Sequence, residues 1–165
     1  MDLKGKVAII TGASSGLGKA TAVMFSKLGA NVALAGRNAE NLNKTKLECE
    51  KHGAKVLLVP GDVTNEEDNI HLVKQTVEQF EKLDILVNNA GILKVGSIET
   101  TSMADFDISM TVNLRSVFQL TQLAVPHLTK TKGCIVNVST VGGMRSVCNS
   151  YGIYQVSKYH WVLCV

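Results

Sequence analysis

Short apolar runs, rich in β-branched residues, recur along the chain with no polar positions alternating between them. A strand that lacks this alternation is typically covered on both faces, as the strands of a parallel sheet are. The pattern therefore predicts five strands, at Lys6–Thr11, Asn31–Ala35, Lys55–Val59, Leu83–Asn88 and Cys134–Ser139.

The segments between these runs carry apolar residues at helical spacing. In the third segment, the apolar face comprises Ile70, Val73, Val77 and Phe80. In the fourth and longest segment, Pro126 is expected to kink or end the helix. Strands that alternate with helices are joined by right-handed crossovers. The order therefore predicts an α/β fold, a doubly wound, Rossmann-like parallel sheet of about five strands with helices on both faces.

Length and composition indicate one globular domain over residues 1–165, because 45% of the residues are apolar and 19% are charged. The 17 Lys and Arg and the 14 Asp and Glu residues are scattered, which argues against a nucleic-acid partner. Apolar runs such as Val7–Ile10 are far shorter than the roughly 20 residues of a membrane span. The start of the chain lacks the apolar stretch of a secretory signal, so we expect a cytoplasmic protein.

The cysteines and histidines do not predict a metal site. Neither a zinc ribbon nor a redox pair fits the spacing of Cys49, Cys134, Cys148 and Cys164. We therefore expect reduced, structural thiols. Helical spacing of three or four residues is likewise absent among His52, His71, His127 and His160.

A glycine-rich loop joins the first predicted strand to the first predicted helix. It reads Thr11-Gly12-Ala13-Ser14-Ser15-Gly16-Leu17-Gly18. Gly12 would allow a tight exit from the strand, Gly16 would let the backbone approach a pyrophosphate, and Gly18 would permit close packing of helix on strand. The free N–H groups at the start of the helix would then attract the phosphates. A glycine-rich turn that binds nothing is the alternative interpretation.

The end of the second predicted strand bears on the choice of coenzyme. A site for NAD carries an acid there, about 20 residues beyond the loop, to bind the ribose hydroxyls. Gly36 takes that position in this chain, and Arg37 and Asn38 follow it. A guanidinium at this point can bind a 2′-phosphate through two hydrogen bonds, which favours NADP(H) over NAD(H). A surface arginine without a ligand is the alternative.

Further motifs follow the later strands. Asp62-Val63 follows the third strand and Asn88-Asn89-Ala90-Gly91 ends the fourth. The fifth leads through Asn137-Val138-Ser139-Thr140 to Tyr154-Gln155-Val156-Ser157-Lys158. In combination with the glycine-rich loop, these motifs resemble those of the short-chain dehydrogenase/reductase family, across essentially the whole stretch from Lys6 to Lys158.

In that family the loop binds the coenzyme, the pair after the third strand contacts adenine, and the lysine reaches the nicotinamide ribose. Together with the loop chemistry, the resemblance therefore implies coenzyme contacts from Thr11, Gly12, Ser14, Ser15, Gly16, Leu17, Gly18, Arg37, Asn38, Asp62, Val63, Asn89, Ala90, Gly91, Tyr154 and Lys158.

Tyr154 and Lys158 are four residues apart, which places both on one face of a helix. There the ammonium would stabilise a phenolate and lower the pKa of the phenol toward physiological pH. Such a tyrosine can donate a proton to a carbonyl oxygen as hydride reaches the carbon, or accept one from an alcohol. Tyr151 is rejected for this role because Gln155 stands where its lysine would be.

The resemblance also implies a hydroxyl that orients the substrate carbonyl and an asparagine that holds a water for proton relay. Thr140 matches the hydroxyl position, Ser139 is the alternate, and Asn113 matches the asparagine. The interval from Thr140 to Tyr154 is one residue longer than is usual in the family. A displacement of about 1 Å at a reacting centre can slow a reaction about a hundredfold, so this interval bears on activity.

The resemblance implies an NADP(H)-dependent oxidoreductase that interconverts a carbonyl and a secondary alcohol of a small molecule, and that can form a homo-oligomer. Relatives continue past the catalytic helix, whereas this chain ends seven residues after Lys158. We therefore expect a C-terminally truncated member that lacks the family's last strands, with its fifth strand at a bare sheet edge. The alternative is an inactive nucleotide-binding fragment or a partner of full-length relatives.

Overall fold

The computed structural model describes residues 2–143 and 152–163, with side chains for 2–142 and 152–158. The strands are β1 (Val7–Thr11), β2 (Asn31–Gly36), β3 (Val56–Pro60), β4 (Ile85–Asn88) and β5 (Cys134–Asn137). The helices are α1 (Gly16–Lys27), α2 (Ala39–Glu50), α3 (Glu66–Phe80), α4 (Met103–Met110), α5 (Ser116–Thr131) and α6 (Gly152–Leu163). A π-helical turn, Thr111–Arg115, joins α4 to α5, and a 3₁₀ turn, Val141–Gly143, follows β5.

The five strands form one parallel sheet in the order β3-β2-β1-β4-β5. On one face, α1 and α2 pack over Ala8 and Ile10, and on the other, α3 and α5 pack over Ile9. The predicted fold class, a doubly wound sheet with helices on both faces, is confirmed. Strand order reverses between β1 and β4, so a crevice forms at the carboxyl ends of these two strands.

Burial on both strand faces, which the sequence predicts for all five runs, holds in the centre of the sheet and is wrong at β3, where only Val59 is buried, and at β5. β1 and β4 are buried throughout. In β5, by contrast, Cys134 is exposed and Val136 is 43% exposed. The reason is position, because β3 and β5 lie at the two ends of the strand order, each with one neighbour among the described strands.

The buried face of α3 differs from the predicted one by part of a turn. Ile70 is 43% exposed, while Asn69 and Leu72 are buried beside Val73. The Asn69 side chain explains the shift, because its Nδ2 donates hydrogen bonds to the carbonyl of Val63, at 2.8 Å, and to the amide oxygen of Gln119 on α5, at 2.9 Å. A polar residue with tertiary partners faces inward here, which apolar spacing alone does not reveal.

Pro126 does not end the long helix, so that part of the expectation is wrong. α5 continues five residues beyond it, to Thr131. A proline leaves the carbonyl four residues earlier, on Gln122, without its helical donor. Both residues lie on the exposed side of α5, where water can bind that carbonyl.

Cys49 is a buried free thiol and Cys134 an exposed one, while Cys148, Tyr151 and Cys164 lie outside the described residues. Within the described ranges, no group of three or more His, Cys, Asp or Glu side chains is arranged to hold a metal ion. No helix within those ranges has the length and apolar character that a membrane crossing requires.

Candidate active site

A cleft of about 420 Å³ opens at the carboxyl ends of β1 to β4, at the predicted crevice. It brings together most of the residues that the sequence assigns to coenzyme binding. Its walls are formed by Gly12, Ser14, Ser15, Gly16, Leu17, Gly36, Arg37, Asn38, Gly61, Asp62, Val63, Asn89, Ala90, Gly91, Ile92 and Val112.

Gly12 and Gly18 hold the glycine-rich loop against the sheet. Gly12 has φ of +65°, and a Cβ there would lie 2.9 Å from Nδ2 of Asn89 and 3.0 Å from Cα of Ala90. A Cβ at Gly18 would clash with the carbonyl of Gly12. Glycine is therefore required at both positions, one for the turn and one for the close approach of α1 to β1.

The middle of the loop is open toward the cleft. Gly16 has φ of +54°, and an added Cβ there would meet no atom within 4 Å. Ser15 caps α1 through its backbone but makes no side-chain capping bond, so the N–H groups of the first turn face the opening without a side-chain partner. Free amides at the positive end of a helix dipole fit a diphosphate.

Thr11 and Asn89 join the loop to the end of β4. Thr11 Oγ1 accepts hydrogen bonds from the backbone N–H groups of Asn89 and Ala90, both at 3.0 Å. In return, Nδ2 of Asn89 donates to the carbonyl of Thr11 at 2.8 Å. Thr11 is buried and, like Gly18, lies behind the wall of the cleft. Thr11 and Gly18 therefore support the cleft without lining it.

Arg37 and Asp62 face each other at the rim of the cleft. Nη1 of Arg37 lies 3.9 Å from Oδ2 of Asp62, and the arginine side chain is 73% exposed. An exposed ion pair at this length contributes little free energy, so the guanidinium can take another anionic partner. The other carboxylate oxygen of Asp62 accepts hydrogen bonds from the N–H and hydroxyl of Thr64, both at 2.9 Å, which fix its orientation.

Lys158 lies where α6 meets the cleft. Its Nζ donates a hydrogen bond to the carbonyl of Val138 at 3.1 Å. A Cβ on Gly91 would lie 3.1 Å from the same nitrogen, so glycine at 91 makes room for the ammonium beside the cleft wall. Burial lowers the pKa of Lys158 from its ordinary value, because the charged form loses hydration.

The two candidate hydroxyls differ in their hydrogen bonds. Ser139 Oγ donates its proton to the carbonyl of Lys158 at 3.0 Å, which fastens α6 to the end of β5. Thr140 Oγ1 instead accepts a hydrogen bond from the N–H of Gly142 at 3.3 Å. Accepting leaves the Thr140 proton available for another acceptor. The hydroxyl of Thr140 is therefore the better placed of the two to donate.

Asn113 lies in the π-helical turn and is fully buried. Its Oδ1 accepts the N–H of Ile92 at 2.9 Å, and its Nδ2 donates to the carbonyl of Ile92 and to Oγ of Ser157, both at 3.0 Å. The predicted relay residue thus joins the loop after β4 to α6. Tyr154, on the same helix, is half-buried.

The catalytic candidates lie beside the cleft rather than in its wall. Of the described residues, Asn113, Ser139, Thr140, Tyr154 and Lys158 are not among those that line it, and α6 contacts it through Gly91. Sequence reasoning did not assign coenzyme contacts to four lining residues, Gly36, Gly61, Ile92 and Val112. The first three adjoin predicted contacts and could have been inferred from the neighbouring motifs, whereas Val112 could not.

Comparisons with known proteins agree with this geometry. The model of the short chain dehydrogenase family matches residues 6–162. The chain is 44% identical to an uncharacterized oxidoreductase of Thermotoga maritima, over 96% of this chain and 62% of that protein. It is 40% identical to the 3-oxoacyl-acyl-carrier-protein reductase of the same organism, over 87% of this chain and 59% of that protein.

Solved structures of short-chain dehydrogenases/reductases also match the chain. A short-chain dehydrogenase/reductase mutant from Serratia marcescens matches with a TM-score of 0.93 and 32% identity, covering 98% of this chain and 66% of that one. A Caenorhabditis elegans short-chain dehydrogenase/reductase of unknown function, solved with cofactor, matches at 0.89 and 34%, covering 96% and 61%. The chain belongs to the short-chain dehydrogenase family, whose members are NAD(P)-dependent oxidoreductases, and spans about 60% of the length of these two Thermotoga relatives.

Proposed function

We propose that this chain carries the coenzyme cleft and the proton-transfer residues of an NADP(H)-dependent oxidoreductase that interconverts a carbonyl and a secondary alcohol. The position of Lys158 is the observation that carries the proposal. Its Nζ lies beside Gly91 at the wall of the cleft, so the helix that bears Tyr154 meets the glycine-rich coenzyme site. The proposed substrate is a small molecule with a C=O or CHOH group.

The residues of the cleft suit each part of the coenzyme. When bound, the coenzyme would supply hydride to the carbonyl carbon or accept it from the alcohol. The amides of Gly16–Gly18 would hold the diphosphate, and Arg37 would bind the 2′-phosphate that distinguishes NADP(H) from NAD(H). Asp62 and Val63 would contact the adenine, and Lys158 would bind the nicotinamide ribose.

The residues beside the cleft would handle the proton. Tyr154 donates it to the carbonyl oxygen during reduction and accepts it during oxidation. Thr140 donates a hydrogen bond to the same oxygen, since its Oγ1 accepts the N–H of Gly142 and its proton is not used in the hydrogen bonds of the described residues, whereas the proton of Ser139 is held by the carbonyl of Lys158. Asn113 holds the loop and the helix in register. A cytoplasmic location and a homo-oligomeric state stay predictions.

Coenzyme binding is tested by titrating the full chain with NADPH and with NADH while following the fluorescence of the bound nicotinamide. We expect NADPH to bind at least about tenfold more tightly, the value of one charge-assisted hydrogen bond. Tighter binding of NADH would overturn the assignment of Arg37. If neither coenzyme binds, the proposed cleft function is wrong.

Turnover is tested by following carbonyl-dependent oxidation of NADPH with a panel of ketones and aldehydes. Tyr154→Phe should lower kcat by about a hundredfold or more and leave the Kd for NADPH unchanged, because the phenol acts only in proton transfer. Tyr151→Phe is the matched control and should retain activity. Tight NADPH binding with no turnover in the unmodified chain would favour the alternative, a nucleotide-binding fragment.

A further inference from the structure

Ser157 has a buried hydroxyl to which the proposed mechanism assigns no task. It lies on α6, three residues after Tyr154 and directly before Lys158, and it is fully buried. Its Oγ donates a hydrogen bond to the carbonyl of Tyr154 at 2.9 Å. The same oxygen accepts a hydrogen bond from Nδ2 of Asn113 at 3.0 Å.

These bonds extend to the wall of the cleft. Asn113 also holds both backbone groups of Ile92, at 2.9 and 3.0 Å, and Ile92 lines the cleft. An unbroken series of hydrogen bonds therefore runs from Ile92 through Asn113 and Ser157 to the backbone of Tyr154. Such a series is strengthened by burial, and loss of one member removes a hydrogen bond from each of its neighbours in a medium that water does not reach.

We infer that Ser157 is a positioning residue that sets the distance between the Tyr154–Lys158 face of α6 and the coenzyme cleft. The inference rests on the proposed function, and concerns how the proton donor is held rather than which residue it is. A hydroxyl suits this place because it donates and accepts at once, whereas alanine does neither. In Ser157→Ala, the amide of Asn113 loses one of its hydrogen-bond partners, and the hydrogen bond that joins α6 to Asn113 at this point is removed.

The first test measures the link without any turnover. Hydrogen exchange of the Ile92 backbone amide is followed by NMR in the folded full chain and in Ser157→Ala. We expect exchange to become about tenfold faster, because the Asn113 side chain that accepts this N–H loses one of the hydrogen bonds that hold it. Ser26→Ala is the control, since Ser26 is also buried and donates to a carbonyl of its own helix, that of Ala22. Unchanged exchange at Ile92 in Ser157→Ala would overturn the inference.

The second test measures positioning. In Ser157→Ala, kcat should fall about tenfold, while the Kd for NADPH, read from nicotinamide fluorescence, stays within about twofold, because displacement affects the reacting groups more than the coenzyme grip. In an Asn113→Ala background, the same change should lower kcat by less than about twofold, since the series is already broken. A full tenfold effect in that background contradicts the inference.

The two tests separate the failure of this inference from the failure of the proposed function. An unmodified chain with no NADPH-dependent turnover contradicts the proposed function, and the link through Ser157 is then decided by the exchange of the Ile92 amide alone. Normal turnover in Ser157→Ala, with the unmodified chain active, overturns the positioning role while leaving the proposed function in place.

Discussion

Lys158 is 4% exposed, and the one hydrogen bond of its ammonium within the described part of the chain goes to the carbonyl of Val138. A buried charge with a single acceptor keeps less of its hydration than a surface lysine does, which is why the pKa of Lys158 is lowered. The same burial opposes folding, because the unfolded chain holds this proton more readily. Residues that serve chemistry often reduce stability in this way.

Lys158→Met is expected to raise the free energy of unfolding at pH 7 by about 1 kcal/mol, since it replaces a buried charge with an apolar side chain of similar length. The gain should shrink as pH rises from the lowered folded pKa toward the unfolded value near 10.4, above which the lysine is neutral in both states. Denaturant unfolding across this pH range measures the effect. Lys74→Met, at an exposed position, should show no such trend. A variant less stable than the parent at pH 7 would contradict the argument.

Arg37 determines the coenzyme preference if the proposed function is correct. Arg37→Ala should weaken NADPH binding by about tenfold to a hundredfold and change NADH binding by less than about threefold, because the lost bonds are to the 2′-phosphate. Isothermal titration with both coenzymes measures this. Lys74→Ala, which removes an equal charge from α3 away from the cleft, controls for long-range electrostatics. Equal weakening of both coenzymes would show that Arg37 does not read the phosphate.

At the scale of secondary-structure elements, Asp84 ties three strands together at the end of the sheet opposite the cleft. Its carboxylate accepts hydrogen bonds from the N–H of Val7 and from Nζ of Lys6, both at 2.9 Å, and Lys82 lies 3.0 Å away. Its carbonyl accepts the N–H of Cys134 at 3.0 Å. The residue directly before β4 therefore links the starts of β1 and β5.

Burial by itself would raise the pKa of the Asp84 carboxyl, but hydrogen bonds from Lys6, Val7 and Lys82 outweigh it and lower that pKa. The carboxylate therefore stabilises the fold above the unfolded value near 3.9, and this contribution is lost as pH falls through the folded pKa. Asp84→Asn should reduce the free energy of unfolding by about 2 kcal/mol at pH 7 and by less at pH 3.

Urea unfolding at the two pH values measures the effect of Asp84→Asn. Glu78→Gln is the matched control, because it removes a carboxylate from an exposed pair with Lys74 and should change the free energy of unfolding by less than about 0.5 kcal/mol. An equal loss at pH 3 and pH 7 would show that the charge of Asp84 is not the stabilising feature.

At the scale of the whole molecule, the cleft is formed by the ends of four strands that are separated along the chain by helices. The glycine-rich loop after β1, the arginine after β2 and the acid after β3 meet only because the sheet is parallel. A coenzyme that contacts all of these ends would link them, and its binding would add to the stability of the fold.

NADPH is therefore expected to stabilise the folded chain in proportion to its saturation. At a free concentration of about 100 times Kd, the gain is about 2.7 kcal/mol, which corresponds to a rise in Tm of roughly 5–10 °C for a chain of this size. Thermal unfolding at increasing NADPH concentration measures it, and Arg37→Ala should show a smaller shift at the same concentration. A Tm that does not depend on NADPH would argue against binding in the folded state.

Much of the fold could be predicted from the sequence because the patterns that indicate it are local. Strand runs, helical spacing and the glycines of the loop depend on neighbouring residues, and the α/β order follows from them. The boundaries of the strands differ more from the prediction, as at Asp84, which lies inside the predicted fourth strand but outside β4. The helix faces were also missed in part, because Asn69 is turned inward by partners in other elements.

By itself, the sequence determined the fold class, the place of the glycine-rich loop and the candidate groups for chemistry, since each is encoded in short segments with characteristic residue types. Only the tertiary structure decided which groups hold one another. The bond between Asn113 and Ser157 joins residues 44 apart, and that between Lys6 and Asp84 residues 78 apart. Such contacts depend on how the elements pack, and the periodicity of one segment does not indicate which distant residue it will contact.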